Sequence, residues 1–82
     1  MAAMAERSEV LRQIGELAPA RVARPVRLEQ RLVEDLGLDS VGLLTLAVAV
    51  EDHFRICLEP EDEEGIRTVG DLVRVVEGKL GG

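Results

Sequence analysis

Aromatic side chains are almost missing from this sequence, which has no Trp, no Tyr and a single Phe at position 54. Modules that read nucleic acid rely on aromatic stacking platforms or a basic stripe, and neither is available here. Any core must be aliphatic, drawn from the Leu, Val, Ile and Ala that dominate the 46% of hydrophobic residues. Cysteine and histidine occur once each, as Cys57 and His53. One cysteine excludes an intramolecular disulfide and a cysteine-rich zinc site. Its apolar setting, Arg55-Ile56-Cys57-Leu58, predicts a buried, inert thiol. No third group orients a Cys–His pair, and no metal site is expected. Apolar runs stay short of bilayer length, and Met1 to Glu6 lack the apolar core of a signal peptide. The expectation is a cytoplasmic protein with no membrane span.

Positive charge is scarce in the second part of the chain. Residues 1–34 carry six Arg against five acids, for +1, and residues 35–82 carry four Lys or Arg against eleven acids, for −7; together these make the net charge of −6. DNA and anionic membranes repel such a surface, so partners presenting basic patches are favoured. The alternative is that the acidity only keeps a small protein soluble. At 82 residues there is room for one modest core, and without repeats or low-complexity linkers the chain reads as a single domain over 1–82.

Periodicity divides the chain into helices. Val10, Leu11, Ile14 and Leu17 fall on one face of a first helix from about Ala5 to Leu17, interrupted by Gly15, which is expected where a neighbour approaches. Pro19 and Pro25 end that pattern. A long extended connection from Ala18 to Arg31 follows, carrying Arg21, Arg24, Arg27 and Arg31, with Val26, Leu28, Leu32 and Val33 as anchors and a short helical turn around Glu29 to Asp35. From Ser40 to about Phe54 apolar residues cover nearly all faces, which points to a helix at the centre of a bundle or one with a second buried surface for partners. Fifteen residues without alternation are too long for a strand. Ile56 and Leu58 mark an extended stretch. Pro60 and the acids through Glu64 then suit the first turn of a short helix. Thr68-Val69-Gly70-Asp71 resembles a capping box with Asp in place of Glu or Gln, opening a last helix from Val69 to about Gly78 with Leu72, Val73 and Val76 inward. The fold class is therefore all-α: a small four-helix bundle of three main helices and one short one, with a long loop after the first.

Arg31 through Phe54 reads RLVEDLGLDSVGLLTLAVAVEDHF. This stretch resembles the acyl carrier proteins of fatty-acid and polyketide synthesis, whose hallmark is an acidic-Leu-Gly-x-Asp-Ser-aliphatic segment opening the second helix. Here it stands as Asp35-Leu36-Gly37-Leu38-Asp39-Ser40-Val41, and the likeness continues through Glu51-Asp52-His53-Phe54, Ile56 to Leu58, and Thr68 to Leu72. An Asp-Ser pair alone is only a common helix start; the ordered set of features is what carries the resemblance. It implies that a phosphopantetheinyl transferase, using coenzyme A and Mg²⁺, attaches 4′-phosphopantetheine covalently to Ser40, and that the thiol of the arm holds acyl groups as thioesters. It implies a carrier and not an enzyme, consistent with the lack of any base near Ser40 in sequence; size and charge favour a monomer.

The resemblance also assigns the neighbouring residues. Leu38, Asp39, Val41, Glu51 and Asp52 become candidate contacts for acyl-transferring, condensing and tailoring enzymes with basic or apolar docking patches; Asp39 has a capping role open to it as well. Gly37 serves backbone geometry. Leu44, Val48, Ile56, Leu58 and Val73 are candidates to line a cavity for the acyl chain, or simply to fill the core. One departure stands out: carriers of fatty-acid synthesis scatter acids along this helix, where the present sequence has Gly42 and Thr45, with acids returning only at Glu51 and Asp52. That favours a dedicated, specialised pathway. The competing readings are a peptidyl or aryl carrier of a nonribosomal pathway, against which Asp39 weighs, and an unmodified helical interaction module. Residues 59–65 lack the alternating ligands of a calcium loop.

Overall fold

The computed structural model describes residues 2–81, with side chains from residue 7 onward. Four helices follow one another: α1 (Ala2–Leu17), α2 (Ser40–Phe54), α3 (Pro60–Glu64) and α4 (Val69–Gly81). Among the described residues there is no strand, only one isolated antiparallel bridge between Arg31 and Thr68. The architecture is the small all-α bundle with a long first connection that the patterning predicts. α1 begins earlier than expected, at Ala2, because Ala2, Ala3, Met4 and Ala5 are all strong helix formers.

α1 packs against both α2 and α4. Val10 and Ile14 of α1, Leu46 and Val50 of α2, and Val69, Leu72, Val73 and Val76 of α4 form a buried aliphatic centre. Leu11, Leu17 and Phe54 flank it, half-buried. α4 continues past the expected stop at Gly78 and ends at Gly81. The added turn carries Lys79, whose Nζ lies 2.7 Å from Asp62 Oδ2 and so ties α4 to α3, in the last turn where a cation complements the helix dipole.

The connection between α1 and α2 is held by apolar anchors and by its backbone. Val26 and Leu32 are buried and Leu28 is half-buried, as expected. Val33 is not an anchor: it is half exposed, and Leu36 and Leu38 occupy the core instead. The helical turn lies a little later than expected, with the N–H groups of Asp35 and Leu36 donating to the carbonyl of Arg31. On the far side, Leu32 N–H donates to Arg67 O, Val69 N–H to Gln30 O, and Gly70 N–H to Leu28 O at 2.8 Å. Two of the N–H groups that a helix start leaves unpaired are thus taken by the loop. The cap itself supplies the next: Asp71 N–H donates to Thr68 Oγ1, while Asp71 Oδ2 accepts from the N–H groups of Thr68 and Arg67. This is the reciprocal capping box read from the sequence.

Gly15 does meet a neighbour, but it is a side chain. Arg24 Nε donates to the Gly15 carbonyl at 3.0 Å, and its Nη2 reaches the carbonyl of Ala18 at 3.3 Å. One arginine of the basic loop therefore closes the C-terminal end of α1, where carbonyls lack helical partners. Cys57 departs from expectation too: it is exposed. Ile56 and Leu58 turn inward from the extended stretch, and alternation sends the residue between them outward.

Candidate functional site

The site is built around the turn that starts α2. Gly37 adopts φ +75°, a left-handed conformation that favours glycine, and a Cβ there would stand 3.1 Å from Nη2 of Arg21. Leu38, next in line, is buried, and its N–H donates to Leu32 O at 3.0 Å. Leu38 therefore pins the turn to the core and is not presented to partners. Asp39 follows as the N-cap, extended and exposed; its Oδ1 accepts the N–H of Gly42 at 2.8 Å, and its carbonyl accepts that of Leu43. A Cβ at Gly42 would come within 3.3 Å of that same carboxylate oxygen, so glycine leaves room for the cap. Ser40 is then the first helical residue and is exposed. An anion bound to its hydroxyl would sit at the positive end of a fifteen-residue helix.

Beside Ser40 runs a cleft of about 380 Å³. Leu43, Leu44 and Ala47 line it from α2, Leu58 and Leu72 close its base, and Glu63 borders it from α3. Of the cavity candidates, Leu44 and Leu58 line this cleft; Val48, Ile56 and Val73 do not. Val48 is more than half exposed to solvent, Ile56 packs half-buried on the core, and Val73 is fully within it. Leu43 and Ala47 are not among the expected lining residues, although they stand three and seven positions beyond Ser40, where the helical repeat alone puts them beside it. Glu63, Ile66 and Leu72 arrive through the tertiary fold.

The outward face of α2 is apolar. Val41, Leu44 and Val48 are 70%, 66% and 56% exposed and follow i, i+3, i+7 spacing, and no charged residue lies between Ser40 and Val50. Asp52, near the far end, is exposed. Glu51 is engaged within the fold, where its Oε2 accepts the N–H of Leu58 at 2.7 Å and holds the α2–α3 connection to the helix. Arg55 closes α2 in a left-handed conformation, φ 57°. Around the site, carboxylates with partners are more acidic than usual: Asp35 by hydrogen bonds from the Arg31 side chain and then its backbone, and Asp62 by the hydrogen bond from Lys79. His53, the sequence's sole histidine, lies thirteen positions from Ser40, about 20 Å along the helix, and does not serve as its base.

The family model described as "Phosphopantetheine attachment site" matches residues 8–76, most of the chain and all of the site. This chain belongs to the acyl carrier protein family. Similar proteins include the acyl carrier protein of Thermotoga maritima, 35% identical over 81 residues that span 95% of this chain and all of that protein. That of Wolinella succinogenes is 46% identical over 52 residues, 63% of this chain and 68% of the relative. A "Meromycolate extension acyl carrier protein" of Mycolicibacterium aurum is 31% identical over 70 residues, 85% and 68% of the two chains. The family's prosthetic group is covalent 4′-phosphopantetheine, and the carrier's own geometry suits it: an exposed hydroxyl at a helix start to take a phosphodiester, and an apolar cleft adjoining it. Transferase and synthase enzymes are the family's partners. No helix of the described residues is long and apolar enough to cross a membrane.

Proposed function

We infer that residues 1–82 are a single carrier domain and that Ser40 receives the phosphopantetheine arm. The observation that carries this reading is the placement of an exposed Ser40 as first residue of α2, behind the Asp39 cap and on the rim of the cleft. Loading would form the Ser40 Oγ–phosphorus bond as the pyrophosphate bond of coenzyme A breaks and adenosine 3′,5′-bisphosphate leaves, the hydroxyl proton passing to a base of the modifying enzyme. When bound, the arm supplies a terminal thiol that holds acyl groups as thioesters. The chain's own contribution is to fix the turn through Gly37 and Leu38, hold the helix start open, and offer Leu43, Leu44 and Ala47 as an apolar lining.

Partner recognition uses the outward stripe of Val41, Leu44 and Val48, flanked by Asp39 and Asp52. With no charge along the middle of α2, apolar complementarity dominates the contact, and basic groups on the partner meet only its ends. This supports service in a polyketide or other specialised pathway over housekeeping fatty-acid synthesis. The deciding experiment is intact mass after incubation with coenzyme A, Mg²⁺ and a broad-specificity phosphopantetheinyl transferase. The native chain gains one phosphopantetheine and Ser40→Ala gains none. No gain by the native chain, with the transferase active on another carrier, would overturn the reading in favour of an unmodified helical interaction module.

A further inference from the structure

A second cleft, of about 450 Å³, lies next to the first and shares Leu32, Leu43 and Ile66 with it. Its lining changes character beyond those three residues: Arg31, Glu34 and Arg67 border it together with Val33. The two arginines are not equivalent. Arg31 is held by Asp35, whose two carboxylate oxygens accept from its Nε and Nη2, each at 3.1 Å. Arg67 forms no ion pair among the described residues, yet its backbone is fixed at both ends: its N–H donates to Asp71 Oδ2 and its carbonyl accepts from Leu32 N–H. A guanidinium with donors to spare thus borders the second cleft, which adjoins the cleft beside Ser40. Such a group can take a planar carboxylate in a two-point, charge-assisted pair.

We propose that this second cleft receives the distal end of the carried acyl chain, and that Arg67 selects chains ending in a carboxylate. This rests on Ser40 as the attachment site. Leu43 and Ile66, both half-buried, line both clefts, so the aliphatic part of the chain lies against them while its end reaches Arg67. Glu34, which also borders this cleft, acts against an anionic end and limits the preference. Substitutions at the two charged residues therefore act in opposite directions.

The test loads the full chain at Ser40 from octanoyl-coenzyme A and from the coenzyme A thioester of octanedioic acid, with loading verified by intact mass. Thermal melting and the Arg67 Nε–H resonance are then compared between the two acyl forms. The carboxyl-ended chain is expected to raise Tm about 1–4 °C more than the methyl-ended one, the scale of an exposed ion pair in a domain of this size. It is also expected to move the Arg67 resonance, which the methyl-ended chain leaves in place. Arg67→Gln abolishes the difference in Tm, and Glu34→Gln enlarges it. Equal melting of the two acyl forms, or a difference that survives Arg67→Gln, overturns the proposal. Failure to load at Ser40 is a separate result, seen in the mass, which removes the attachment reading and this one with it.

Discussion

Asp39 Oδ1 accepts the backbone N–H of Gly42 at 2.8 Å, and the ideal Cβ position of that glycine is 3.3 Å from the same oxygen. The residue before the proposed attachment serine is therefore bound to the residue two places after it, and the pair fixes how Ser40 leaves the helix. Leu38 behind them is buried and Val41 between them is exposed, so a single turn passes from core to surface.

Asp39→Ala should lower stability by about 1 kcal/mol through loss of the cap. In a domain of this size that is a fall in Tm of about 4–8 °C. Asp39→Asn keeps an acceptor oxygen and should keep most of the stability. Comparing loading rates of the two variants separates capping from recognition: if the charge is read by the transferase, Asn restores Tm but not the rate.

Val41→Asp and Val48→Asp should raise KM for enzymes that dock on α2 while leaving stability within about 0.5 kcal/mol, because both positions are exposed. For the native chain, transferase KM should depend weakly on ionic strength, since α2 is uncharged from Ser40 to Val50. A steep salt dependence would place recognition on the acidic α3 region instead.

Two glycines of α4 should respond in opposite directions to alanine. At Gly78 a new Cβ meets nothing, so Gly78→Ala should stabilise the helix by about 1 kcal/mol. At Gly70 it would stand 3.2 Å from the Leu28 carbonyl oxygen, which is backbone and is also the acceptor of the Gly70 N–H. Gly70→Ala should displace the loop and lower Tm despite the same gain in propensity. Thermal melts of the two variants check both signs.

Acid should destabilise the fold by a definable route. Glu9 is lowered from 4.5 to about 2, chiefly by the hydrogen bond from Arg12 and then by that from Gln13. Asp71 is lowered by the backbone N–H groups of Thr68 and then Arg67, and Asp62 by the hydrogen bond from Lys79. Each carboxylate is more acidic folded than unfolded, so its contribution is complete above the unfolded value and is lost as pH falls through the folded one. Tm should drop between about pH 4.5 and pH 2, a window set by the Glu9 values. It lies below the isoelectric point near 4.7, where relief of acidic self-repulsion no longer offsets the loss. Melting curves across this range should be shallower for Glu9→Gln and for Asp71→Asn.

Local chemistry made much of this protein legible from its residues. The Asp39 cap, the apolar run to Phe54, Pro60 in the first turn of α3 and the Thr68–Asp71 capping box each act within a few positions, and each element begins where its own signal stands. Ser40 is visible for the same reason: it opens a helix and belongs to a motif written in consecutive residues.

Orientation was decided elsewhere. α2 is apolar on nearly every face, so its periodicity does not say which side turns inward, and only packing against α1 and the rest of the core determines that Leu46 and Val50 are buried while Leu44 and Val48 are not. The same holds for Leu38 buried, Val33 and Cys57 exposed, and Arg24 closing the end of α1. The order of residues was enough to specify the helices, their caps and the serine. Packing between distant segments chose which apolar residues form the cleft, which stay exposed, and how the long loop docks on α4. Hydrogen-bonded caps and turns are satisfied by near neighbours in the chain, whereas burial depends on surfaces supplied by residues far along it.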